Sequence, residues 1–129
     1  MKVFLGGTCS GYNWRSKLER VLKCDYYNPV VKDWNEQHRL REVQERETAD
    51  YVLYVITSGI KGVYSIAEVV DDSHKRPDKT IFCVLYENMD RQMAHSLRAT
   101  ANLLKDNGIR CFESLSDTAK FLNEQVKND

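Results

Sequence analysis

The chain has 129 residues, 42% hydrophobic and 29% charged, a length and composition that suit one globular domain with a core of its own. Lys plus Arg and Asp plus Glu both number 19, and that balance argues against a nucleic-acid polymer as partner through a broad basic face. No apolar stretch approaches the roughly 18 residues that a membrane crossing needs, and the apolar start, Met1–Gly7, is too short for a secretory leader.

In chain order, strand-like apolar runs alternate with helix-period segments. Lys2–Leu5 reads as a first strand, and Asn13–Lys23 as a helix with Trp14, Leu18, Val21 and Leu22 on one face. "CDYYNPVV" reads as a short strand ended by Pro29, and Glu36–Thr48 as a strongly charged helix. "DYVLYVITSG" is the longest apolar run and suits a central strand covered on both faces. A helix follows over Ser65–Ser73, then a strand in "KTIFCVLYE" and a helix over Asp90–Lys105. That helix carries Met93, Leu97, Ala101 and Leu104 on one face, with Asn107-Gly108 closing it. "IRCFE" is a fifth strand, and a last helix over Ser116–Val126 begins from Ser114 or Ser116.

Such alternation predicts a single α/β domain over residues 1–129: a flavodoxin-like, doubly wound, five-stranded parallel sheet in a three-layer α/β/α sandwich. Ligands in these sheets sit beyond the carboxyl ends of the strands where strand order reverses. That directs attention to the loops Gly6–Asn13 and Thr57–Tyr64. The four cysteines, at 9, 24, 83 and 111, and the three histidines show no ligand spacing. Neither metal nor redox use is expected, and a reduced cytoplasmic setting fits.

The first loop is not a nucleoside triphosphate loop. Gly6 and Gly11 have the outer spacing of GxxxxGK[ST], but Tyr12-Asn13 stands where Lys-Ser/Thr belongs, and adjacent Gly6 and Gly7 rule out GxGxxG. Gly6, Gly7, Thr8, Tyr12, Trp14 and Arg15 remain as glycines, a hydroxyl, rings and a cation suited to a sugar or nucleobase with one phosphate. The plainer alternative makes Gly6-Gly7 a tight turn, Trp14 a packing residue and Arg15 a solvated charge.

The segment "TSGIKGVYSIAEVV" says more. Glu68 falls in the first turn of a helix at the carboxyl edge of the sheet, where the helix start favours an ionised carboxylate fit to act as a nucleophile. Ser65-x-x-Glu68 is equally a capping box. Glu42, Glu45 and Glu47 offer a second carboxylate on the preceding helix. Most carboxylates there, with Arg39, Arg41 and Arg46 nearby, read as solvated ion-pair partners.

"KVFLGGT…W", "YYNPVVKDWN", "E…ADYVLYVIT" and "GVYSIAE", in that order, resemble the nucleoside 2-deoxyribosyltransferase-like family over about the first two-thirds of the chain. That family is related to the nucleoside 2-deoxyribosyltransferases and the 2'-deoxynucleoside 5'-phosphate N-hydrolases. The resemblance implies cleavage or transfer at the bond between deoxyribose C1' and a base, through a glycosyl-enzyme formed on a glutamate. Glu68 occupies that glutamate's position. An acidic residue eight positions before the Asp that opens the third strand assists it, which corresponds to Glu42, where the family usually has Asp. Six residues before the glutamate the transferases carry Asp and the N-hydrolases Ser. Here Gly62 stands, with Ser58 and Ser65 as nearby hydroxyls.

The resemblance implies Gly6, Gly7, Thr8, Arg15, Gly62 and Ser65 around the sugar or its phosphate, and Tyr12, Trp14 and Tyr64 around the base. No cofactor is needed, and a homo-oligomer is expected. For the tail Asn123–Asp129 there are two readings, a segment reaching a partner's site or a frayed terminus. The competing function is a non-catalytic domain that binds a nucleotide-like ligand, in which Glu68 is only a cap.

Overall fold

The computed structural model describes residues 1–126. Five strands, β1 (Lys2–Gly7), β2 (Asp25–Tyr27), β3 (Tyr51–Ile56), β4 (Thr80–Val84) and β5 (Arg110–Phe112), alternate with five helices. These are α1 (Trp14–Glu19), α2 (Glu36–Thr48), α3 (Tyr64–Lys75), α4 (Arg91–Asp106) and α5 (Leu115–Val126). All pairings are parallel and the order is β2-β1-β3-β4-β5, the flavodoxin-like arrangement expected from the alternation.

The period-two alternation of side chains divides the core in two. Phe4, Val52, Tyr54, Ile56, Phe82 and Val84 face α3 and α4, where Val69, Leu97, Ala101 and Leu104 meet them. Val3, Leu5, Leu53, Val55, Ile81 and Cys83 face α1 and α5, packing on Trp14, Leu18, Ala119 and Leu122. β1, β3 and β4 are therefore buried on both faces, and this is why their sequences run apolar without alternation. In contrast, α2 has no buried side chain.

Several boundaries differ from the sequence expectation. α1 stops at Glu19 instead of Lys23, because the Asn123 amide of α5 takes over the next backbone groups. It donates to the Val21 carbonyl at 2.9 Å and accepts from Lys23 N–H at 2.8 Å. Asn123 thus holds a turn in its own chain, and Lys127–Asp129 of the expected tail lie outside the described residues. β2 spans three residues instead of the whole of "CDYYNPVV". Asn28 turns the chain by accepting from Val30 N–H at 3.0 Å, and Pro29 brings no donor. On α4 the buried set begins at Ala94, with Met93 exposed, and Asp90 caps by accepting from the N–H groups of Gln92 and Met93. Of the two expected starts for α5, Ser114 is the one used, accepting from Asp117 N–H at 3.0 Å.

Gly7 ends β1 at a φ of 119°, and a Cβ there would meet the Val55 backbone of β3. The β1–β3 seam closes only because this residue lacks a side chain. Gly7→Ala is expected to lower the free energy of unfolding in urea by about 2 kcal/mol or more, and Gly62→Ala, which adds a methyl to open space, by less than about 1 kcal/mol. Equal losses in the two variants would contradict this account of the seam.

Candidate active site

A cavity of about 380 Å³ lies against the carboxyl half of β1, one of the two strands that flank the reversal in strand order. Phe4, Gly6 and Gly7 form its β1 side. Pro29, Val30, Val31 and Trp34 from the β2–α2 loop make an apolar wall. Glu42 of α2 and Glu68 of α3 both line the cavity, with Tyr64 and Ser65 at the start of α3. A hollow of about 190 Å³ adjoins it, sharing Gly7, Cys9, Tyr64 and Ser65 and adding Thr8, Ser10, Lys61 and Gly62.

Glu68 lies deeper in its helix than its sequence suggested. α3 begins at Tyr64 with Val63 as N-cap and no side-chain cap hydrogen bond. Ser65 is already inside the helix, so the Ser65–Glu68 capping box does not form. As the fifth residue of α3, Glu68 lies past the first-turn N–H groups whose dipoles were expected to favour its charge. The local effect is the opposite. Burial pushes its pKa up to about 7, Glu42 and Asp72 add to the rise, and Arg46 opposes it.

Arg46 of α2 supplies the contact, its Nη1 lying 3.3 Å from Glu68 Oε2. The same guanidinium donates from Nη2 to Asp72 Oδ1 at 2.9 Å. Asp72 is fully buried and also accepts from Tyr54 Oη at 2.5 Å and from Arg76 Nη1 at 3.0 Å. Reading Arg46 as a solvated partner therefore does not hold: its side chain is 13% exposed. Burial also raises the pKa of Glu42, against the pull of Trp34 as hydrogen-bond donor and of Arg46, His38 and Arg15. Glu45, one turn on, is held by Lys2 at 2.8 Å.

Arg15 needs a different account from both readings of the sequence, whereas Trp14 is the packing residue of the plainer one. β2 pairs with β1 only as far as Phe4, leaving carbonyls beyond that point without a strand partner. Arg15 supplies one: Nε donates to Leu5 O at 3.0 Å, Nη1 to Thr8 O at 2.8 Å and Nη2 to Gly7 O at 3.3 Å. Arg15 is 5% exposed, so it is not a solvated charge, and three of its five N–H groups hold the end of β1. Its pKa is lowered by burial, with Cys9, Glu19 and Glu42 counteracting. Trp14 is 1% exposed, packs in the core and donates from Nε1 to Thr8 O at 2.8 Å. The Thr8 hydroxyl accepts from Thr57 N–H.

Gly6, Gly7, Arg15, Glu42, Tyr64, Ser65 and Glu68 are thus brought around one space, with Thr8 and Gly62 on the adjoining one. Tyr12 is not among them. It lines a cavity of about 330 Å³ together with Ser58, and another of about 310 Å³ that shares Cys9, Arg15 and Val30 with the carboxylate cavity; of the two serines near Gly62 it is Ser65 that borders the carboxylates.

The family model described as nucleoside 2-deoxyribosyltransferase like matches residues 1–87. The chain belongs to this family. Among curated proteins no match is found. Membership makes the chain nucleoside deoxyribosyltransferase-like in general function, with a nucleoside small molecule as its class of substrate. The matched residues include both carboxylates, Arg46, Asp72 and the whole lining of the cavity.

Residue-level reading missed Trp34, the wall Pro29–Val31 and Arg46. The first two were visible as an apolar and aromatic stretch, "PVVKDW", beyond the proline that ends the second strand and before the next helix. Arg46 gave no signal within a helix dense in charges.

A carboxylate held at about 7 makes stability depend on pH. Between its ordinary 4.5 and about 7 the folded chain keeps a proton that the unfolded chain releases, so this group's contribution to stability falls as pH rises through that window. At about 1.4 kcal/mol per pKa unit the ceiling is about 3–4 kcal/mol. Glu68→Gln is expected to unfold at higher urea than wild type at pH 8 and at nearly the same urea at pH 4. A variant no more stable at pH 8 would contradict the assigned environment.

Proposed function

We propose that this chain cleaves or transfers at the N-glycosidic bond of a deoxynucleoside or its 5'-monophosphate, with Glu68 as nucleophile and Glu42 as the proton-handling partner. The supporting observation is a pair of half-buried carboxylates from different helices, both with raised pKa, lining one cavity beneath an apolar wall. Retaining glycosidases use two carboxyl groups in these roles.

In the first step ionised Glu68 attacks C1', and a C–O bond forms as the C–N bond breaks. The electron pair of the broken bond goes to the base nitrogen, which takes a proton from Glu42, whose raised pKa suits it to hold one. Positive charge that develops on the sugar lies next to the Glu68 carboxylate. In the second step water or another base attacks C1', Glu42 recovers a proton from it, and Glu68 is released. Neither a metal nor an organic cofactor enters the balance.

The base rests against Val30, Val31 and Trp34, with exposed Tyr64 at the mouth, in place of the Tyr12 and Trp14 expected from the sequence. The sugar lies along Gly6 and Gly7. Its 5' end points into the adjoining hollow, where Gly62 leaves room and Ser65, Ser10 and Lys61 carry donors. The chain works as a homo-oligomer in a reducing cytoplasm. Exposed Leu40 and Val43 on α2, a helix with no apolar side chain in the core, accord with such an assembly.

Incubation with deoxynucleosides and their 5'-monophosphates, with and without an acceptor base, tests the reading through base released or exchanged. Wild type is expected to turn over at least one of them, Glu68→Gln to be nearly inactive, and Glu42→Gln to lose about 10²–10⁴-fold in kcat. The rate should rise with pH through about 7 as Glu68 ionises. A wild type silent across the panel but thermally stabilised by one of these compounds would replace this reading with binding alone.

A further inference from the structure

The guanidinium of Arg46 lies between carboxylates it cannot leave independently. Nη1 meets Glu68 at 3.3 Å, and Nη2 meets Asp72 at 2.9 Å and Asp71 at 3.7 Å. Because the fork is planar and rigid, rotating it away from Glu68 would also break the Asp72 bond. Asp72 is fixed in turn by Tyr54 of β3 and by Arg76 at the end of α3. Nε of Arg46 is buried and has no hydrogen-bond partner among the described residues. The side chain forgoes one bond while both Nη groups remain on carboxylates.

We propose that Arg46 is the positioning residue of this site: anchored through Asp72 to Tyr54, it aims the Glu68 carboxylate and offsets part of the burial that works against its charge. This rests on the reading of Glu68 as the attacking group. The charged and titratable groups around Glu68 come from several elements. α2 contributes Glu42 and Arg46, α3 contributes Asp72, and β3 contributes Tyr54. Cys9, Arg15 and Tyr64 share its cavity, with Arg15 bonded to β1 carbonyls. Arg46 is therefore the cation that favours the charged form of Glu68, whereas burial, Glu42 and Asp72 all raise its pKa. Burial works against the Arg46 cation as well, but the carboxylates of Asp72 and Glu68 support it, and its pKa lies above its ordinary value. Burial and Asp72 push the Tyr54 phenol up, so it remains a donor.

The experiment follows the side-chain carboxyl carbons of glutamate by NMR across pH, with the Glu68 signal assigned from its loss in Glu68→Gln. This readout needs no turnover. In Arg46→Met the Glu68 midpoint should rise by about one pH unit or more, and Arg46→Lys should recover part of the difference. Arg46→Met/Asp72→Asn removes the buried aspartate's charge together with the arginine's, so it serves if the single variant does not fold. Its midpoint should still lie above wild type, because Arg46 influences Glu68 more than Asp72 does. In the turnover assay the acid limb of kcat should move with the midpoint while KM stays within about twofold. A midpoint unmoved in both methionine variants overturns the proposal. A midpoint that shifts while even wild type releases no base supports the pairing and removes the nucleophile role of Glu68 instead.

Discussion

Arg46 crosses from a helix that buries nothing else to a point where Glu68, Asp71 and Asp72 converge, and the geometry of the cavity depends on that crossing. α2 has no apolar side chain in the core, so its seat against α3 is electrostatic: Arg46 on the inner side and Glu45 with Lys2 toward β1. Glu42 is one turn from Arg46 on the same helix, so the contact that holds Glu68 also holds Glu42 over the mouth of the sheet. One largely enclosed fork thereby sets both carboxylates of the site.

Such a network adds little net stability. Taking charges out of water costs several kcal/mol per ion, and mutual attraction returns that only where geometry is good and every donor is satisfied. Here Nε of Arg46 is unsatisfied and Glu68 is held at a pKa that disfavours its charged form. Stability comes from elsewhere, from three central strands covered on both faces and from the apolar faces of α1, α3, α4 and α5. A core of that kind tolerates strain at one edge, and the strained edge is where the carboxylates meet.

The sheet was legible because parallel strands buried on both sides must be apolar along their length, and "KVFL", "YVLYVI" and "TIFCV" are. Element ends were less so, since they depend on partners distant in sequence: no local pattern shows that Asn123 will stop α1, a hundred residues earlier in the chain. The same reason applies to Arg15, while Trp14 packs as the plainer reading had it. Local chemistry made them ligand residues or bland surface and packing. Arg15 is buried because β2 ends three residues before β1 does, which leaves carbonyls that a guanidinium can satisfy. Glu68 was found through motif position, but its environment was inverted, because a helix that starts one residue earlier moves it beyond the reach of the helix start.

The boundary of the family match, just past β4, has a structural counterpart. Every side chain around the carboxylate cavity comes from the first 68 residues, and the anchor of Arg46 ends at Arg76. The elements beyond β4 cover the sheet: Leu97, Ala101 and Leu104 close one face, Ala119 and Leu122 the other, and β5 extends the edge by three residues. Covering a sheet requires apolar faces of suitable volume and leaves their identity loosely constrained, whereas holding two carboxylates on one cavity requires particular groups at particular distances. The matched part of the chain is accordingly the part that carries this chemical demand, and the remainder meets one that many sequences satisfy.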